Sequence, residues 1–290
     1  MFIVSLIARP GALDPALVEN LRNAWGGGDI MWLSPDEAAE FPSEALPGNF
    51  EEVRGSVAAQ ADLNCLPAEG RRKKMLLADM DSTMIRQECI DELAEAAGIG
   101  AQVKDITARA MNGELDFEGA LTERVALLKD LPETVIGEVL DTRITLMPGG
   151  RELLATMKRD GAYAALVSGG FTAFTAAVAA KLGFDENRAN TLNVTDGRLT
   201  GTVGRPILGR EAKVRALEEI TARLDITAHD VLAVGDGAND LGMLERAGMG
   251  VALHAKPAVQ AQVSCRVNHG DLSALLYLQG YAKADFATLS

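Results

Sequence analysis

Two rhythms of apolar and polar residues run along this chain. Short apolar runs at 2–9, 30–33, 62–66, 74–78, 163–167, 231–236, 249–253 and 265–268 predict strands, and the longest of them have the unbroken character of strands buried on both faces. Between them, apolar residues recur every three to four positions over 14–25, 50–60, 88–97, 103–111, 117–127, 133–140, 150–159, 171–182, 211–224 and 272–279, the spacing of amphipathic helices. End signals agree: Asp14-Pro15 offers a cap followed by proline at the first helical position, and Gly26-Gly27-Gly28 stops that helix. Two β runs around Asp196-Gly197, within 190–203, predict a hairpin. The polar segment 34–49, with Pro35, Pro42 and Pro47, reads as a connection.

This order divides the chain. Residues 67–74 (Pro-Ala-Glu-Gly-Arg-Arg-Lys-Lys) are polar and lie between two apolar strands, which predicts a solvated linker. A small α+β domain over 1–70 therefore precedes a larger α/β domain over 71–290. In the larger one strands alternate with helices, so a doubly wound, mostly parallel, Rossmann-like sheet with right-handed crossovers is expected. Four helices over about 84–146, punctuated by Gly98, Gly113 and Pro132, interrupt it after its first strand. Inserted there they form a helical cap, a lid that can exclude water and select substrate.

Composition changes the picture in two respects. With 41 acidic against 28 basic residues and a net charge of -13, the 290-residue chain is a poor partner for nucleic acid or an anionic membrane. Any anionic substrate must instead be met by a cation and a few selected Lys or Arg. The three cysteines, Cys65, Cys89 and Cys265, are odd in number and far apart, which suggests neither a disulfide framework nor a thiolate metal site and fits a reducing cytoplasm. The first apolar run lacks a basic leader and is broken by Arg9-Pro10, so it reads as a strand, not a signal peptide. No apolar run approaches the length of a membrane span.

The chemistry is concentrated where the run 74–78 stops on Asp79-Met80-Asp81-Ser82-Thr83. Ligands of open α/β sheets bind beyond the carboxyl ends of strands. Residues i and i+2 of extended chain project to one side, so Asp79 and Asp81 converge, and close like charges share a proton or a metal. A strand followed by an Asp/Ser/Thr helix cap explains the same residues equally well. A second apolar strand ending in carboxylates, Gly235-Asp236-Gly237-Ala238-Asn239-Asp240, favours one metal site built from both.

These two clusters, with Ser168-Gly169-Gly170 and Lys213 between them, resemble the four motifs of the haloacid dehalogenase superfamily of phosphohydrolases, closest to its phosphoserine-hydrolysing branch. The likeness covers roughly residues 74–280. It implies Asp79 as nucleophile, forming an aspartyl-phosphate, and Asp81 as general acid and then general base. It also implies Mg²⁺ held by Asp79, Asp236 and the backbone carbonyl of Asp81, an all-oxygen shell that suits this hard cation. Ser168 and the Gly169 amide would bind phosphoryl oxygens, Lys213 would neutralise the phosphate and Asp79, and Asn239 would orient that lysine. Asp240 would support the site or cap its helix. In the cap, Glu88 and Arg124 match positions that read the amino group and the carboxylate of O-phospho-L-serine, and Met111 and Phe117 match apolar pocket positions. On the residues alone, Glu88 is as well a first-turn helix acid and Arg124 the surface partner of a nearby Glu. Residues 1–70 resemble a degenerate ACT-like module.

The expectation is a cytoplasmic, Mg²⁺-dependent phosphatase that releases L-serine and phosphate in the last step of serine biosynthesis, with no nucleic-acid or membrane partner and a homodimer left open. The alternatives are action on another small phosphomonoester, phosphoryl transfer to an alcohol such as homoserine, and a serine-sensing protein with vestigial catalysis. The intact set Asp79, Asp81 and Asp236 argues against the last.

Overall fold

The computed structural model describes residues 1–111 and 114–287; Gly113 and the Met111 side chain, both singled out above, lie outside the described residues. The chain divides into two compact units, one of residues 1–77, 147–164 and 217–290, the other of residues 78–146 and 165–216.

In the first unit the chain begins β1 (Phe2–Ile7), α1 (Pro15–Ala24), β2 (Met31–Ser34), β3 (Ala38–Ser43), α2 (Phe50–Val57) and β4 (Asp62–Pro67). These strands form an antiparallel sheet in the order β2-β3-β1-β4. Val4, Leu6, Val18, Leu21, Phe41, Phe50 and Leu63 make its core. The Asp14 carboxylate caps α1 by accepting from the Ala16 amide at 2.9 Å, and Pro15 stands in the first turn.

Residues 38–43 are a central strand, not a connection. Pro42 is tolerated because the β2 ladder ends at the pair Met31–Glu40, so no β2 acceptor waits for its missing N–H. Glu40, buried in the same strand, is neutralised by a bidentate bond from Arg71, at 3.0 and 2.5 Å. Arg71 is thereby no solvated linker residue, and neither is Lys73, whose Nζ donates to the His229 carbonyl at 2.7 Å. Partners more than thirty residues away decide this burial, which local polarity cannot reveal. Arg72 and Lys74 do stay exposed.

The large sheet has the order β12-β11-β10-β5-β6-β7, formed by β5 (Met75–Ala78), β6 (Tyr163–Phe171), β7 (Glu186–Asn190), β10 (Val231–Gly235), β11 (Met249–Leu253) and β12 (Cys265–Val267). The β6–β7, β10–β11 and β11–β12 pairs are parallel. Every residue of β5, β10 and β11 is buried, which is why these strands read as unbroken apolar runs. The polar edge strand β7 escaped the sequence reading for the opposite reason. The β12 edge is covered by a side chain of β4: Asn64 donates to the Arg266 carbonyl and accepts from the Arg266 amide, at 3.0 and 2.8 Å, as a neighbouring strand would.

The second unit holds the four expected helices, α3 (Cys89–Ala96), α4 (Gly100–Met111), α5 (Phe117–Ala126) and α6 (Thr134–Thr142). It also holds α8 (Thr172–Leu182), the hairpin of β8 (Leu192–Thr195) and β9 (Arg198–Val203), and the first part of α9 (Arg210–Arg223); α7 (Gly150–Arg159) belongs to the first unit. The hairpin is stitched to the α5–α6 connection by Asp130 N–H to Leu199 O, Leu199 N–H to Leu131 O and Glu133 N–H to Gly197 O, at 2.8–2.9 Å.

Candidate active site

In the second unit, β5 ends at Ala78 and delivers Asp79 into a buried position, 5% exposed. Its Oδ1 accepts from the Met80 amide at 2.8 Å and lies 2.8 Å from Lys213 Nζ. Lys213 is itself 1% exposed. A lysine on an amphipathic helix is ordinarily solvated; this one stands in a desolvated ion pair. Such a pair persists only where each partner compensates the other's lost hydration.

Two residues on, the chain directs a second carboxylate to different partners. Asp81 Oδ1 accepts from the Cys89 amide at 2.8 Å, and Oδ2 accepts from the Ser168 hydroxyl at 3.1 Å. Ser168 Oγ in turn accepts from the Gly170 amide at 2.8 Å. A Cβ at 170 would lie 2.6 Å from Asp81 Oδ2, so any larger residue there must push that carboxylate aside. Directly after Asp81 the backbone turns left-handed at Ser82, with φ +53°. That conformation is costly for a non-glycine residue and commonest where function demands it. The turn brings Ser82 Oγ to Glu88 Oε1, at 2.6 Å, at the start of α3.

Arg124, half-buried on α5, donates from Nε to the Ala120 carbonyl at 3.2 Å, and its Nη hydrogens take no partner among the described residues. Burial pulls its pKa below the ordinary guanidinium value, against the opposing fields of Asp91, Glu88 and Asp81. The surface ion pair expected of an unspecialised arginine is made instead by Arg109, with Glu123 at 2.9 Å. Asp91 escaped the sequence reading, although it stands one helical turn after Glu88. Its pKa is raised by burial and drawn back down by Arg124 and Lys104. The Phe117 ring lies against Gly169 and Gly209, 3.0 and 3.2 Å from where a Cβ would stand.

In the first unit, Asp236 directly follows β10, and Asn239 is half-buried on the same loop. Asp240 is fully buried at the start of α10 (Leu241–Arg246) but makes no side-chain bond to the helix; its Oδ2 accepts from the Gly237 amide at 2.9 Å. Of the two roles left open for it, helix capping is thus not the one its side chain performs. Asp236 and Asp240, at the two ends of this short loop, offer carboxylate oxygens, the donors a hard divalent cation prefers.

The sequence profile of the haloacid dehalogenase-like hydrolase family matches residues 76–245. The chain belongs to this family. Among its haloacid dehalogenase-like relatives, a phosphoserine phosphatase of Vibrio cholerae is 44% identical over 202 residues, which cover 70% of this chain and 61% of that one. The chain thus spans about three fifths of the length of this curated relative. A probable phosphoserine phosphatase of Schizosaccharomyces pombe is 41% identical over 275 residues, covering 92% and 91% of the two chains. The solved structure of a HAD family hydrolase from Salmonella enterica serovar Typhi superposes with a TM-score of 0.87 at 32% identity, covering 96% of this chain and 97% of that one. The fold expected from the sequence, a family sheet with inserted helices behind a small α+β domain, is borne out.

Proposed function

We propose that this hydrolase is a Mg²⁺-dependent phosphoserine phosphatase, releasing L-serine and phosphate from O-phospho-L-serine. The observation that carries the reading is the contrast between the two carboxylates of the β5 end. Asp79 is held against a buried ammonium, which keeps it anionic and nucleophilic, while Asp81 is turned away from that ammonium onto the Cys89 amide and the Ser168 hydroxyl, so the two carboxylates are given different tasks. The names of the Vibrio and Schizosaccharomyces relatives support the substrate.

The mechanism follows from these placements. An Asp79 oxygen attacks phosphorus in line, the bond from phosphorus to the serine oxygen breaks, and Asp81 protonates the departing oxygen. Asp81, now ionised, takes a proton from water, whose oxygen attacks the aspartyl-phosphate, freeing phosphate and regenerating Asp79. Lys213 and the Ser168–Gly170 turn hold phosphoryl oxygens throughout. Asp79, the Asp81 carbonyl and Asp236 would hold Mg²⁺, with Asn239 and Asp240 supporting them; the bound cation would offset negative charge on the phosphoryl group. Arg124, whose Nη donors take no partner among the described residues, binds the substrate carboxylate, and Glu88 the ammonium group. The boundaries 1–70 and 71–290, a cap over 84–146 and an ACT-like role for the first domain belong to the same proposal. The unpaired cysteines Cys65, Cys89 and Cys265 suit a reducing cytoplasm, and no helix among the described residues is long and apolar enough to cross a membrane.

The test is phosphate release from a panel of small phosphomonoesters, with Mg²⁺ and with the metal chelated. Metal-dependent turnover strongly favouring O-phospho-L-serine is expected. Preference for another ester would overturn the roles of Glu88 and Arg124, and no turnover on any would overturn the phosphatase reading.

A further inference from the structure

The turn after the straight part of β6 is held by a residue that no motif points to. Along β6 the register advances four residues, from Val167 to Phe171, while β7 advances two, from Arg188 to Asn190. Ser168, Gly169 and Gly170 therefore bulge out of the ladder, and a bulge of this kind re-aims side chains and leaves backbone groups to be satisfied by other means. Asn190 stands at the far edge of the bulge, 1% exposed. Its Nδ2 donates to the Gly169 carbonyl at 2.9 Å and to the Leu208 carbonyl at 3.1 Å, and its Oδ1 accepts from the Leu208 amide at 2.7 Å.

Both amide hydrogens and the amide oxygen are engaged, so the group has one orientation. Its partners lie on two segments far apart in sequence. Gly169 belongs to the Ser168–Gly170 turn. Leu208 leads through Gly209, whose carbonyl accepts from Ala212 at 3.0 Å, into the helix that carries Lys213. The Phe117 ring lies against the same two segments, at Gly169 and Gly209. We propose that Asn190 is a positioning residue that locks the Ser168–Gly170 turn to the start of the Lys213 helix, so that the Ser168 hydroxyl and the Lys213 ammonium keep one fixed spacing. It rests on the reading of those two groups as the phosphoryl site. A buried, fully satisfied amide suits the role, since outer partners of this kind hold working side chains to within fractions of an ångström.

The test uses Asn190→Ala and Asn190→Asp in the full chain, each shown to be folded at the assay temperature by near-ultraviolet circular dichroism. The second variant keeps the bond from Leu208 N–H and loses both donor bonds, so it guards against a fold failure of the first. Measured are kcat and KM with O-phospho-L-serine and with 4-nitrophenyl phosphate, and the Kd of inorganic phosphate by calorimetry. Both variants are expected to lose about ten- to a hundredfold in kcat on both esters and to bind inorganic phosphate more weakly. The ratio of kcat/KM between the two esters stays that of wild type, because Arg124 and Glu88 are untouched. In a cycle with Ser168→Ala the losses are less than multiplicative, the mark of groups acting through one another. Wild-type kcat and phosphate Kd in a folded variant would overturn the proposal, as would fully multiplicative losses. Wild-type protein that cleaves only the aryl ester sinks the substrate reading and leaves the Asn190 test intact on that ester. Protein that cleaves neither leaves the phosphate Kd to decide: unchanged in the variants it overturns the proposal, weakened it supports it.

Discussion

Replacing Lys213 by methionine removes the charge of a pair whose side chains are 2% and 7% exposed and whose Nζ–Oδ1 distance is 2.8 Å. Methionine keeps most of the volume, so the loss is electrostatic and not a cavity. Asp79 is left as a buried carboxylate without this counter-charge, a change that costs about 3–5 kcal/mol when one partner of a buried pair is deleted. At about 2 °C per kcal/mol for a chain of this length, the melting temperature should fall by roughly 6–10 °C. Removing both charges, in Asp79→Asn with Lys213→Met, should restore stability above that of Lys213→Met alone, because the carboxylate left without its lysine is then neutral as well. Thermal and urea unfolding in chelator, which keeps bound metal out of the balance, measures this. The single variant should also lose about 10²–10³ in kcat, the usual loss when one preorganised charge is removed from a transition state. Unfolding of Lys213→Met at the wild-type temperature, or a double variant no more stable than the single one, would refute the desolvated pair.

Arg124→Ala should lower kcat/KM on O-phospho-L-serine about ten- to a hundredfold, the worth of a charge-assisted bidentate contact, while sparing 4-nitrophenyl phosphate; equal losses on both esters would exclude a carboxylate-reading role. Gly170→Ala must displace Asp81 Oδ2 or Ser168 Oγ, which would stand 2.6 and 3.1 Å from the new methyl, so kcat should drop at least about tenfold in a protein that still folds. Chelation should abolish turnover and added Mg²⁺ restore it. Asp230 has its pKa lowered to about 2 by bonds from the Thr227 amide, Lys74 and the Thr227 hydroxyl. A depressed carboxylate stabilises the fold above its ordinary pKa and loses that contribution as pH falls toward the folded value. Asp230→Asn should therefore be less stable by about 1 kcal/mol or less at pH 7, with urea midpoints that draw together at pH 3.

Legibility followed the range of the interactions. The fully buried strands β5, β10 and β11 could be read because burial on both faces leaves an unbroken apolar run, and α1 because its Asp-Pro start is a local device. The strands β3 and β7 could not, since Glu40, Pro42 and the polar edge are made tolerable by partners that sequence spacing does not show. At the site, Asp79, Asp81 and Asp236 were legible from strand ends. Lys213, Glu88 and Arg124 needed the family likeness, because each is by itself an ordinary helix residue. Asn190 and Asp91 carried no signal that a single sequence exposes; the nearest clue was the one-turn spacing of Asp91 from Glu88.

What the sequence determined alone was the set of elements, their alternation, and the carboxylates at the strand ends, because each depends on the periodicity of a few neighbouring residues. The tertiary structure decided which charges are desolvated and whom they face. It took Lys213 out of water beside Asp79, turned Asp81 onto Cys89 and Ser168, and seated Arg71 on Glu40. Burial and pairing are properties of chain segments brought together from far apart, and the free energy of a charge is set by that surrounding, not by its place in the sequence.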